Sequence, residues 1–133
     1  MKKHYLKING QTLTEYALTI TISLMFLFMT FDFGRAIFTY SVLSNAAREG
    51  ARFASVKFSD TNRDDLIDTY IQTRIPGIDP IPVLTTNIDW HLQNTKEISV
   101  TLSLSYPFDP LIGEIIGINP ITLGARSSMM LEY

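Results

Sequence analysis

The stretch NGQTLTEYALTITISLMFLFMTF, residues 9 to 31, holds one carboxylate, Glu15, at the lip of a long apolar run. Ahead of it, MKKHYLKING carries Lys2, Lys3 and Lys7 with no acid, and it ends in Gly10, a small residue placed where a cut site would be. A carboxylate at bilayer depth costs about 2.5–3.5 kcal/mol on insertion scales, so it requires a partner. The chemistry open to Glu15 is therefore attraction to a cation supplied from elsewhere.

The other residues that can do chemistry form no convergent set. The chain has no cysteine, which excludes disulfides, thiolate metal sites and a thiol nucleophile. His4 and His91 lie in different regions, so no Ser-His-Asp or metal arrangement can be built on them. Asp60-x-Asn62-x-Asp64 imitates the first half of a calcium loop, but Asp65 stands where glycine is needed and Ile71 where the closing glutamate belongs; a helix cap accounts for it better. We therefore expect no catalytic residue, no cofactor and no metal. The net charge of −2, with no basic cluster beyond the first ten positions, argues against nucleic acid as a partner.

The elements that must position Glu15 follow from hydropathy and charge. The 133 residues suffice for one small domain plus an anchor, and the apolar residues are densest between Ala17 and Phe31. By the positive-inside rule the lysines hold the N-terminus in the cytoplasm and send the remainder outward. The uncharged stretch from Tyr16 to Phe31 is about 24 Å long at about 1.5 Å per residue, against about 30 Å of hydrocarbon. It extends through Phe33, Ile37 and Phe38 if Asp32 and Arg35, three apart on one helical face, neutralise each other near the outer interface. A transmembrane segment of about 16–38 results.

No proline precedes Pro76, so the helix is expected to run on, from about Gln11 to about Phe58. In its second half Ala36, Tyr40, Leu43, Ala47, Gly50 and Ala54 form an apolar seam, and Ser41, Asn45, Arg48 and Arg52 a polar stripe. Thr61 and Asp64 fit a capping box that starts a short helix with Leu66, Ile67, Tyr70 and Ile71 on its apolar face. IPGIDPIP is a connector, after which the period becomes two. Ile88, Trp90 and Leu92, then Ile98, Val100, Leu102, Leu104 and Tyr106, alternate with polar residues and predict a hairpin turning near Asn94 with one wet face. Trp90 reads as core. A Pro- and Gly-rich loop from Pro107 to Pro120 leads to a third strand, Ile121 to Glu132. The fold class is α+β: a leader over 1–10, a spine over 11–58 and a small head over 59–133, the spine packed on an antiparallel sheet and needed for the head's core.

GQTLTEY, the apolar run, DFGRAIFTY and SNAAREGARFAS together resemble the TadE-like pilins, relatives of type IV pilins and of the short Flp pilins of tight-adherence systems. The likeness is close from Gly10 to Ser55, with Arg48, Glu49, Gly50 and Arg52 matching its second motif. It implies a type IV pilin-like fold, a prepilin peptidase that cuts after Gly10, Gln11 as first mature residue with Glu15 fifth and Tyr16 beside it, and assembly with other pilin subunits on a pilus assembly platform for adhesion or secretion. It also implies residence in the inner or cytoplasmic membrane, single-pass, with the head outside. The cut removes three lysines and exposes an amine that a neighbouring subunit's Glu15 can meet.

Other readings remain open from residues alone. Glu15 fits an ordinary signal-anchor helix with an incidental acid, which would make the chain a permanently anchored binding module. Gly34 and Ala36 offer a small-x-small pattern for a secretory signal peptide, although Arg35 stands inside it. Ala46, Ala47, Gly50 and Ala54 suit close helix packing, against the chain's own sheet or another subunit. Arg48, Glu49 and Arg52 suit either ion pairs between subunits or a solvated face.

Overall fold

Without a proline to remove an amide or collide with the preceding turn, the first helix runs unbroken. In a computed structural model, which describes residues 10–57, 59, 61–75, 85–93 and 97–132, α1 spans Gly10–Val56. At about 1.5 Å per residue it is about 70 Å long, more than twice the hydrocarbon thickness. Its two halves meet different surroundings. Every residue from Gly10 through Phe31 is exposed, whereas Leu43, Ala46, Ala47, Gly50, Ala51 and Ala54 are buried.

The head consists of α2 (Arg63–Thr73), β1 (Thr85–Gln93), β2 (Glu97–Phe108), a single-turn α3 (Gly113–Ile116) and β3 (Ile121–Glu132). The strands form an antiparallel meander in the order β1-β2-β3. Its register sets Trp90 opposite Val100 and Val100 opposite Met129. Along β2 the period-two pattern puts Val100, Leu102 and Leu104 into the core with Ile67, Ile71 and the small residues of α1. Because β2 is the central strand, its other face is not wholly wet. Thr101, between Asp89 and Ser128 in register, is buried as well.

Three local expectations are corrected. The seam of α1 passes through Thr39 and not Tyr40, which is exposed, while Ala36 is half-buried. A helix advances about 100° per residue, and the smaller Thr39 is what turns toward the head. The capping box does not form. α2 starts at Arg63 with Asn62 as its N-cap and no side-chain cap bond, which puts Asp64 at the second helical position and not the third, and its carboxylate accepts the Trp90 indole N–H at 3.3 Å. Leu66 stays exposed, and the apolar face of α2 is Ile67 and Ile71, with Tyr70 stacked on Phe53 of α1 at 4.3 Å. The leader before Gly10, Phe58, Asp60 of the calcium-like pattern, the connector 76–82 and the turn at Asn94 lie outside the described residues.

Candidate functional site

Gly10, Gln11, Glu15 and Tyr16 stand on an exposed stretch of α1. Among the described residues, and apart from the helix's own backbone, nothing lies within 4 Å of where a Cβ on Gly10 would stand. The Glu15 carboxylate finds no ion-pair or hydrogen-bond partner among the described residues. The polar side chains that follow it are absorbed locally. Thr19 donates to the Glu15 carbonyl, Thr21 to Ala17, Ser23 to Thr19 and Thr30 to Phe26, each at 2.7–2.9 Å. Hydroxyls bonded back to carbonyls four residues earlier are compatible with an apolar solvent. Glu15 is left as the one charged group of that stretch, and the helix itself does not satisfy it.

The stripe of small residues meets the chain's own head. A Cβ on Gly50 would come within 2.5 Å of Leu102 Cδ2 and 3.0 Å of Ile71 Cγ1, so helix and sheet approach closely here. Ala46, Ala47 and Ala54 flank it, all buried. Arg48 and Arg52 are exposed on the opposite side, with no acidic partner among the described residues. Glu49 reaches Arg74, the C-cap of α2, at 3.4 Å, both half in solvent, which makes the pair worth at most about 1 kcal/mol.

A second junction is absent from any local pattern. Asp32 does pair with Arg35 at 3.2 Å, but its two oxygens also accept backbone N–H bonds from Leu111, at 3.1 Å, and Ile112, at 3.0 Å. Arg35 lies over the Phe108 ring, 5.2 Å from its centroid. One turn of the spine thus clasps the loop between β2 and β3, and Asp32 is buried in it. In the sequence, the only sign of this role is a charge that an apolar run tolerates.

Asp32→Ala is expected to destabilise the head by about 2–4 kcal/mol. Two amides lose their acceptor, and a buried unsatisfied donor costs about 1–3 kcal/mol. Asp32→Asn, which keeps one acceptor, is expected to lose less. Hydrogen exchange at the Leu111 and Ile112 amides of detergent-solubilised protein checks this, since only these amides and their neighbours should lose protection in the milder variant. Unchanged protection in the alanine variant would dismiss the clasp.

Among the described residues no three histidine or acidic side chains gather into a metal-binding group, and His91 is exposed on β1. Trp90 is half-buried against the core, with the Arg63 guanidinium 4.2 Å from its ring centroid. The arrangement is suited to holding a head on a spine and to presenting an apolar helix end with a carboxylate that has no partner among the described residues.

Comparison with known proteins agrees with that reading of the spine. The family model described as TadE-like protein matches residues 10–52. The match covers the exposed apolar half of α1 and most of the half that packs on the head, and it ends before the sheet begins. No curated protein and no solved structure matches the chain. Residues 10–52 are thus similar to that family, and α1 is long and apolar enough to cross a membrane.

Proposed function

We propose that this chain, with its TadE-like spine, is a membrane-inserted structural subunit related to the pilins of tight-adherence systems. It is cut by a prepilin peptidase between Gly10 and Gln11 and assembled with other pilin subunits into a filament or its initiating complex. It serves adhesion or secretion and has no catalytic role. The observation that carries this reading is the exposure of every residue from Gly10 through Phe31, including Phe26, Leu27 and Phe31. A core helix of a water-soluble protein would cover such side chains. Here the head covers only the outer half of the helix, which leaves lipid, and later neighbouring subunits, as the surroundings of the inner half.

The position of the cut is supported by local physics. A peptidase needs its scissile bond out of the helix, and glycine costs about 1 kcal/mol in a helix relative to alanine. Gly10 therefore lowers the cost of opening the chain at the bond that follows it. The positive lysines before the apolar run keep that bond on the cytoplasmic side.

Mass spectrometry of the membrane-extracted protein is expected to find a chain that starts at Gln11. Gly10→Leu is expected to accumulate uncut, with processing reduced at least about tenfold, corresponding to about 1.4 kcal/mol in the transition state. Because the Gly10 side-chain position is open, this variant reports on the peptidase and not on folding. Full retention of the leader in wild type, in cells with an active prepilin peptidase, would replace the pilin reading with that of a permanently anchored binding module.

A further inference from the structure

The loop held by Asp32 is itself apolar. Between Pro110 and Gly124 the sequence has one charged residue, Glu114, and Leu111, Ile116, Ile118 and Ile121 are each 41–52 % exposed. The loop is not a slack segment. Gly117 takes a left-handed φ of 73° at the end of α3, and the Ile118 amide returns to the Gly113 carbonyl at 2.9 Å. A Cβ on Gly113 would fall 2.8 Å from Pro110. The knuckle is therefore a formed turn that presents isoleucines outward.

Its level along the spine is set by contacts. The Asp32 bonds to Leu111 and Ile112 fix one point. An apolar groove of about 310 Å³ lies between Met29 and Phe33 of α1 and Ile116, Ile118 and Ile121 of the loop, which places these residues at the same level. If the crossing is centred on the uncharged stretch between Glu15 and Asp32, Met29 stands about 8 Å and Ala36 about 19 Å from the midplane at about 1.5 Å per residue. The hydrocarbon ends at about 15 Å. The loop therefore straddles the boundary, and tilting the helix only brings it deeper.

We propose that the Leu111–Ile121 knuckle is a second membrane contact, seated in the outer interface of the phospholipid bilayer beside the helix that crosses it. This rests on the reading of α1 as a membrane span. The occupant of the exposed face is lipid because that face continues the exposed apolar surface of Met29 and Phe33, which line the same groove, without a polar break among these residues. The knuckle also resolves the shortness of the span. Asp32 has its hydrogen bonds filled from within the protein and is sheathed by Pro110, Ile112 and Phe108, so the apolar belt can reach beyond it to Phe33, Ile37 and Phe38. A head seated in this way has a fixed tilt and height on the membrane before any subunit joins it.

The absence of cysteine makes single-cysteine spin labelling direct. Full-length Ile118→Cys, Leu111→Cys, Phe26→Cys and Arg126→Cys, labelled with a nitroxide in phosphatidylethanolamine–phosphatidylglycerol vesicles at low protein-to-lipid ratio, are compared by power saturation with oxygen and with a water-soluble nickel chelate. Oxygen is expected to dominate at Phe26, Ile118 and Leu111, with Ile118 shallower than Phe26, and nickel at Arg126, which is exposed on β3. Nickel dominating at Ile118 and Leu111 while oxygen dominates at Phe26 would overturn the knuckle contact and leave the span standing. Exclusion of both reagents from Ile118 would overturn it in favour of a protein partner. Nickel dominating at Phe26 would overturn the span, and the knuckle contact with it.

Discussion

Gly50→Leu is expected to abolish the folded head while leaving α1 helical. A single Cβ at Gly50 would already lie 2.5 Å from Leu102 and 3.2 Å or less from two carbons of Ile71. Both side chains are fully buried, so the end of Leu102 has no open space to swing into. Overpacking of this kind costs about 1–3 kcal/mol, occasionally more. For Gly50→Ala it is offset by about 1 kcal/mol of helix propensity, which leaves a net loss of about 0–2 kcal/mol. Leucine adds three further carbons to the same space, and its cost approaches the whole stability of a small domain, about 5 kcal/mol at the low end. Gly34→Ala is the control. No atom lies within 4 Å of its Cβ position, so it should be neutral or stabilising. Thermal melts in detergent, followed by near-ultraviolet circular dichroism of Trp90, distinguish these outcomes. A cooperative transition in Gly50→Leu at the wild-type temperature would mean that helix and sheet do not meet at Gly50.

Glu15→Gln is expected to yield a processed subunit that is stable in the membrane and fails to leave it. The carboxylate is exposed near the start of α1 with no partner among the described residues, so removing its charge costs the fold nothing and eases insertion. On the proposed mechanism its partner is the amine of Gln11 on a neighbouring subunit, which exists only after cleavage. Removing one member of a desolvated charge pair costs about 2–5 kcal/mol. At about 1.4 kcal/mol per tenfold, incorporation should fall at least about thirtyfold. Shearing cells and blotting the filament fraction tests this. Wild-type amounts of Glu15→Gln protein in that fraction would remove the pairing between subunits. Loss of the variant from the membrane itself would assign Glu15 to targeting or cleavage.

Much of this architecture is legible in short stretches of residues because its causes are short-ranged. The absence of proline before Pro76 permits one long helix, which spans Gly10–Val56. The alternation from Val100 to Leu104 sets the face of β2, and the expected third strand, Ile121–Glu132, is β3. The motifs around Gly10, Glu15 and Arg48–Arg52 carry a likeness that the match to residues 10–52 reproduces. These features depend on φ preference, side-chain period and charge over a few neighbours, all of which a linear pattern records. Pairings across the chain leave no such record. Ala46, Gly50 and Ala54 signal that something packs closely, but any smooth surface satisfies a stripe of small residues. Only the fold selects Leu102 and Ile71 as that surface. The Asp64 carboxylate had an amide of its own helix within local reach, and the fold gave it the Trp90 indole. Asp32 has a partner three residues away that accounts for its charge. Its two amide donors lie about eighty residues further on, brought to it by the register of a sheet, and a buried carboxylate binds whichever donors the packed chain delivers.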